Sequence, residues 1–212
     1  MPDTGSAPIV PPDGAGGTLI LVVGPSGAGK DTLIDAARSR LQGDGAILFW
    51  RRYITRDDQI GEQHAALSEE EFARRREDGG FFLSWRVHGL DYGIAADILA
   101  KLAAGRHVVL NVSRRVIGEA RRKWPRTHVI QVTARPEVLR SRLLARGRES
   151  ADGISERLER GGEICLAEAD WLSKLDNSAD LASAVDRFVG LIHEAAGRFS
   201  AGPVSRGSAR RR

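Results

Sequence analysis

Cysteine is almost absent: Cys165 is the only one in 212 residues, which excludes an internal disulfide and any metal cluster built on several thiolates. Long apolar runs are missing as well. The most hydrophobic stretch, LILVV at 19–23, is far shorter than the about 20 residues a membrane-spanning helix needs. The Pro- and Gly-rich start MPDTGSAPIVPPDGAGG lacks the apolar region of a signal peptide. Residues 1–17 are therefore expected to be a flexible leader, and a reducing cytoplasm fits the cysteine count. Aromatic residues make up only 6% and are not interleaved with basic ones as in a nucleic-acid-binding surface. What remains is ordinary for a soluble globular chain with one sizeable core, one domain or a domain plus a lid: 42% hydrophobic and 28% charged. Part of the formal net charge of +4 sits in the terminal RGSARRR, so 199–212 reads as a disordered basic tail. The other arginines cluster internally, which points to an anionic small molecule rather than to nucleic acid or a membrane surface.

Short apolar runs alternate with amphipathic stretches, an order that predicts a parallel sheet covered by helices. TLILVV at 18–23 is the first strand and leads through a Gly-rich turn into a helix over 30–41. AILFWRRYITR at 46–56 reads as extended. Ser68 and Glu71 stand at capping-box spacing and open a short helix. FFLSWRV at 81–87 is extended, a helix is expected over 94–104, and HVVLNV at 107–112 reads as a buried strand. The second half adds a helix at 114–123, the strand THVIQVT at 127–133, a helix opening at Pro136, an Arg-rich segment to 160, and a final amphipathic helix at 180–197. No internal repeat is present.

Chemistry concentrates first in GPSGAGKDTL at 24–33. A Gly-rich turn that leaves a buried strand and enters a helix presents successive backbone N–H groups to phosphate oxygens. Gly24, Gly27 and Gly29 allow the close approach, and Pro25, Ser26 and Ala28 complete the turn. Lys30 adds a point charge for the β- and γ-phosphates of a nucleotide, reinforced by the helix dipole. Asp31 departs from the motif, which asks there for a Ser or Thr hydroxyl on Mg²⁺. A carboxylate is also a hard oxygen ligand and Thr32 offers a hydroxyl one position on, so Asp31 and Thr32 are the candidate Mg²⁺ ligands. A helix-capping role for Asp31 is the alternative. Arg52 and Arg56, four apart, fall on one face of an extended strand and suit a phosphate clamp, although a solvated strand edge has the same spacing. Arg142 and Arg146 share one helical face, with Arg148 beyond the Gly147 break and Arg157 later. A basic face over Leu139 and Leu143 gives the same pattern. His64 and His88 stand alone, and neither is taken as a catalyst.

The ordered set GPSGAGK, YITR, HGLDYG, ARGRE and LDNSAD resembles the guanylate kinase branch of the nucleoside-monophosphate kinases, from Leu19 to Ala196. More closely, GPSGAGKD, RYITR, HAALSEEEF, LSW, GLDYG and VLNVSR are similar to the ribose 1,5-bisphosphate phosphokinase family, in which an Asp after the loop Lys is expected. The resemblance implies an α/β fold: a P-loop kinase domain over 18–198 with a parallel sheet, helices on both faces, a small acceptor-binding subdomain near 50–93, and an Arg-rich lid near 140–160. It also implies ATP as phosphoryl donor, Mg²⁺, and ribose 1,5-bisphosphate as acceptor.

Departures from guanylate kinase favour that acceptor. Leu83 and Ser84 stand where guanylate kinases carry a purine-reading Glu, whose carboxylate suits the guanine N1–H and 2-amino group. Asn111 and Ser113 replace the two acids of their Leu-Asp-Ile-Asp strand. Ser84 and Asn111 are thus expected beside a different acceptor, whose phosphate the resemblance assigns to Arg52, Arg56 and Tyr92, although Tyr92 has the character of a core residue too. Arg142, Arg146 and Arg157 are implied as lid residues over the ATP phosphates. Asn177 is implied beside adenine, although DNS is also an ordinary turn. A sugar phosphate is already ionised at neutral pH, so no general base is required, and positioning with charge neutralisation carries the reaction. GMP as acceptor, or a non-catalytic module gripping a phosphorylated partner, are the alternatives, and an intact Lys30 with the lid arginines speaks against the second.

Overall fold

The computed structural model describes residues 15–56, 64–87, 89–145 and 166–199. The sequence-stretch alternation resolves into nine strands and six α-helices among these residues. They are β1 (Leu19–Val23), α1 (Lys30–Arg40), β2 (Ile47–Phe49), β3 (Arg52–Ile54), β4 (His64–Ala66), α2 (Glu69–Glu77), β5 (Phe81–Val87), β6 (Leu90–Ala95), α3 (Ile98–Ala103), β7 (His107–Asn111), α4 (Ile117–Lys123), β8 (Thr127–Thr133), α5 (Pro136–Ala145), β9 (Leu172–Asp176) and α6 (Leu181–Arg198). The capping box of α2 forms as expected: Glu71 N–H donates to Ser68 Oγ at 3.1 Å, and Ser68 N–H to Glu71 Oε2 at 3.2 Å.

Two sheets organise the chain. The larger is five-stranded and parallel, in the order β2-β7-β1-β8-β9. A parallel sheet is covered on both faces, so its strands are apolar throughout rather than alternating, and all five residues of β1 are buried. Ile20, Val22, Val109, Ile130 and Val132 face one core with Leu33 and Ala37 of α1 and Phe188 and Ile192 of α6. Leu19, Leu21, Val23, Val108, Leu110 and Val129 face the other, with Ile98 and Leu102 of α3, Ala120 of α4 and Trp124. The smaller sheet has the order β4-β3-β6-β5. It is not a separate body, because Phe82, Leu83 and Ile94 of β5 and β6 belong to that second core.

Several expected boundaries shift. Ile94 lies in β6 rather than opening a helix: it pairs with Leu83 across the sheet and is fully buried, and α3 starts only at Ile98. The 114–123 helix begins as a single 3₁₀ turn over Arg114–Val116. Gly17, placed by composition in the leader, belongs to the folded body. Its N–H donates to Leu102 O at 2.7 Å and its carbonyl accepts from Trp124 Nε1 at 3.0 Å. Residues 1–14 of the proposed leader, most of the lid segment (146–160) and the basic tail beyond Phe199 lie outside the described residues.

One buried polar group ties stability to pH. His128 of β8 is 1% exposed, with Nε2 2.9 Å from Ser173 Oγ on β9. Burial, seconded by the charge of Arg198, lowers its pKa to about 4. An unfolded imidazole titrates near about 6.5, so between these values the unfolded chain binds more protons than the folded one. The contribution is complete above about pH 6.5 and is lost as the pH falls towards 4. The melting temperature is expected to fall across this window by the equivalent of up to about 3 kcal/mol, and His128→Gln to flatten that part of the profile. Thermal melts at stepped pH on both proteins check it.

Candidate active site

The phosphate-binding turn emerges from the carboxyl end of β1, the strand flanked on either side by β7 and β8. This is the switch point of an open α/β sheet, where ligands bind. Two glycines are required there by contact. A side chain on Gly24, whose φ is 147°, would place its first carbon 2.1 Å from Val132 O, and one on Gly29, at φ 84°, 2.5 Å from Asn177 Nδ2. Helix α1 opens on Gly29 without a side-chain cap. First-turn N–H groups of an α-helix have no acceptor within the helix, so this end offers donors and a positive dipole to an anion. Lys30 Nζ crosses the turn and donates to Gly24 O and Pro25 O, both at 2.9 Å.

Asn177, implied by the resemblance to meet adenine, holds the turn from beneath instead. It is 2% exposed, its Nδ2 donates to Ala28 O at 2.8 Å, and its N–H donates to Thr133 O at 2.8 Å. A side chain so enclosed has no surface left for a base. Arg142 of α5 donates from Nη2 to Asn177 O at 3.0 Å. Its Nη1 and Asn177 Oδ1 are buried with no hydrogen-bond partner, and Nη1 lies about as close to Gly29 as a side chain there would allow, 3.6 Å from its added carbon. Arg142 is thus anchored against the loop with a donor in reserve. Arg146 and Arg157 lie outside the described residues.

In front of the turn an open cleft is lined by Asp31, Asp35 and Arg38 of α1, Trp50 in the link between β2 and β3, Arg52 at the start of β3, and Asn111 at the end of β7. Trp50 N–H donates to Val109 O at 2.9 Å, tying this link to the parallel sheet. Asp31 does not cap its helix. Its Oδ1 accepts from Asn111 Nδ2 at 2.7 Å, which sets a carboxylate and an amide carbonyl, both hard oxygen donors, in one cleft. This donor set fits Mg²⁺. Thr32 is not brought to it: successive helix residues turn by about 100°, and Thr32 is exposed and outside the cleft lining.

The second sheet brings together two of the residues expected beside the acceptor and turns a third away. The Tyr92 ring stacks on Trp85 with centroids 5.4 Å apart and planes at 5°, and Arg52 Cζ lies 5.6 Å from the Tyr92 centroid. Arg52 thus belongs to both the stack and the cleft. Ser84 is turned away. It pairs with Gly93, while the next pair along is Trp85 with Tyr92, and successive strand residues point to opposite faces. Arg56 lies half-buried just past the end of β3. The chain leading to it is fixed by Thr55, which donates from N to Asp91 O at 3.0 Å and accepts from Asp91 N at Oγ1 at 2.9 Å. The Asp91 carboxylate is gripped by Arg76 and Arg86, each at 3.3 Å, so the Asp of LDYG braces the subdomain. Asp35, Arg38 and Trp50 were not singled out in the sequence, since they follow no motif spacing.

No family model matches the sequence. Individual relatives do. A ribose 1,5-bisphosphate phosphokinase PhnN of Thiobacillus denitrificans is 47% identical over 180 residues, covering 84% of this chain and 94% of that protein. The chain belongs to the ribose 1,5-bisphosphate phosphokinase family. A second member, from Brucella melitensis, is 43% identical over 181 residues, with 85% and 94% covered. Among solved structures, a guanylate kinase from Anaplasma phagocytophilum superposes with a TM-score of 0.62 at 18% identity, covering 86% of this chain and 87% of its own. That likeness shows a shared kinase fold. Within it, this member of the phosphokinase family has a loop held from behind by Asn177. Asn177→Ala is expected to lower stability by about 1–3 kcal/mol, the cost of leaving buried groups unpaired, and to raise KM for ATP while Val132 and Gly24 keep the turn's entry. Denaturant unfolding and ATP titration of the variant measure both effects.

Proposed function

We propose that the protein transfers the γ-phosphoryl group of ATP to the 1-phosphate of ribose 1,5-bisphosphate, giving 5-phosphoribosyl 1-diphosphate and ADP. An oxygen of the 1-phosphate forms the new bond to the γ-phosphorus as the bond to the β,γ-bridging oxygen breaks, and ADP carries away that electron pair. The attacking oxygen is already ionised, so no proton has to be removed. That agrees with a cleft whose polar lining among the described residues is two carboxylates, two arginines, an amide and the Trp50 indole.

The acceptor choice is supported by the lack of a carboxylate at Leu83 and Ser84, where the resemblance would place a purine-reading Glu; Leu83 is 1% exposed and packed in the core with Leu21 and Leu110. A guanine would find its N1–H and 2-amino donors unmatched, a loss that discriminates strongly in a desolvated site. The names of the curated relatives support the same acceptor.

Each of the candidate residues then has a role in positioning charge. Lys30 and the first turn of α1 bind the donor phosphates, and Arg142, with Arg146 and Arg157, neutralises the transferring group. Arg52, Arg56 and Tyr92 orient the acceptor so that its oxygen lies in line. Asp31, steadied by Asn111, would hold Mg²⁺. When bound, the metal would supply charge neutralisation for the transferring phosphoryl group. The cytoplasm, where ATP is abundant, is the proposed compartment, and no helix among the described residues is long and apolar enough to cross a membrane.

A coupled assay offering ATP with either ribose 1,5-bisphosphate or GMP, with products identified by phosphorus NMR, is expected to show turnover of the sugar bisphosphate far above that of GMP. Efficient phosphorylation of GMP would overturn the assignment. Asp31→Asn is expected to raise the Mg²⁺ concentration giving half-maximal rate by roughly tenfold or more, the loss of one charged ligand, with the apo melting temperature nearly unchanged. Weaker Mn²⁺ binding to the ADP complex, followed by electron paramagnetic resonance, provides a readout independent of turnover. Wild-type metal dependence with a lowered melting temperature would make Asp31 a structural residue.

A further inference from the structure

The acceptor carries two phosphates, and the transfer uses one. With the 1-phosphate directed at the P-loop end of the cleft, the 5-phosphate lies away from the reacting atoms and requires a cation of its own. The cleft supplies one that the sequence motifs did not indicate. Arg38 stands seven residues beyond Asp31 on the same face of α1, about 10 Å further along the helix at about 1.5 Å per residue, and lines the same cleft.

Its guanidinium is fixed from two sides. Nη1 donates to Asp35 Oδ1 at 2.6 Å, and Cζ lies 5.5 Å from the centre of the Phe49 ring. The side chain is 29% exposed. An arginine offers five N–H donors in a planar fork, so the bond to Asp35 orients the group without exhausting it. Across the cleft, Arg52 is held on Tyr92. Two guanidinium groups from different elements, each oriented by a neighbour, thus face one cavity. An isolated surface pair one turn apart on a helix would contribute little; one that fixes an arginine at a cleft wall removes rotamer freedom that a ligand would otherwise have to freeze.

We propose that Arg38 is a specificity-determining residue that binds the 5-phosphate of the acceptor, with Arg52 opposite, so that a sugar bisphosphate is chosen over a monophosphate. This rests on the phosphoryl transfer proposed above. The ionisable cleft residues Asp31, Asp35, Arg38 and Arg52 sum to zero formal charge, two acids against two bases. A second phosphate is therefore recognised by contact with a positioned fork rather than by a net positive field.

Ribose 5-phosphate tests this directly, because it carries the remote phosphate and lacks the one that accepts. Isothermal titration calorimetry on the full chain should show it binding the wild type. Arg38→Ala should weaken that binding by about 10- to 100-fold, the range for losing a charge-assisted hydrogen bond. KM for ribose 1,5-bisphosphate should rise by a similar factor, with the loss falling on KM rather than kcat and KM for ATP moving less than about twofold. Arg38→Lys, which keeps the charge and the aliphatic stem over Phe49 but not the fork, should retain part of the affinity. Melting temperatures of both variants verify that they fold. The proposal is overturned if the wild type does not bind ribose 5-phosphate, if both variants bind it as the wild type does, or if KM for ATP rises as much as KM for the acceptor. A wild type that phosphorylates GMP and not ribose 1,5-bisphosphate would refute the assigned reaction. The calorimetry, which needs no turnover, would still decide the role of Arg38.

Discussion

A phosphate-binding turn works only if its carbonyl oxygens are satisfied away from the anion, and in this protein the bond from Asn177 Nδ2 to Ala28 O does much of that. Every backbone N–H offered to a phosphate belongs to a peptide whose other end repels it. By taking up Ala28 O from beneath, the buried amide fixes the turn against β9 and, through Arg142 on its own carbonyl, against α5. Gly29 has to lack a side chain because that amide occupies the space. The loop is thus held by the parallel sheet on one side and by α5 on the other.

The cleft in front depends on the same framework. Asp31, Asp35 and Arg38 recur along one face of α1 because residues three or four apart in a helix are neighbours, and α1 is set by burial of Leu33, Ile34 and Ala37 against the sheet. Asn111 is the last residue of β7, in register with Val22 of β1, so its amide meets Asp31 at a height dictated by strand pairing. Arg52 arrives from the second sheet, with its guanidinium over the ring of Tyr92, which itself stacks on Trp85.

Much of this was legible in the sequence. Strands β1, β5, β7 and β8 are dense apolar runs, and the capping box marked α2. The P-loop needed only its glycines and lysine in the context of a strand and a helix. What escaped did so for physical reasons. Strand β9 is an edge strand with one fully buried residue, Leu175, too sparse a pattern to read. Ile94 has helix-like neighbours, but cross-strand pairing with Leu83 overrides local propensity. Ser84 was a near miss, since a shift of one residue in a strand reverses the face. Asn177 was found by motif and given the wrong neighbour, because a sequence shows that an amide is present and not which carbonyl it reaches. Arg38 has no motif at all. Its importance comes from where α1 passes the mouth of the cleft.

The sharing of one core between the two sheets has a mechanical consequence. Swinging the smaller sheet outward as a rigid flap would strip Phe82, Leu83 and Ile94 from Leu21, Val23 and Leu110, exposing apolar surface at about 25 cal/mol for each Å². Three large side chains make that several kcal/mol, enough to hold the wall in place through ordinary thermal fluctuation. The smaller sheet, with Arg52 and Tyr92 on it, is therefore a stator: a fixed wall of the cleft that yields only if the core shared with the parallel sheet yields too.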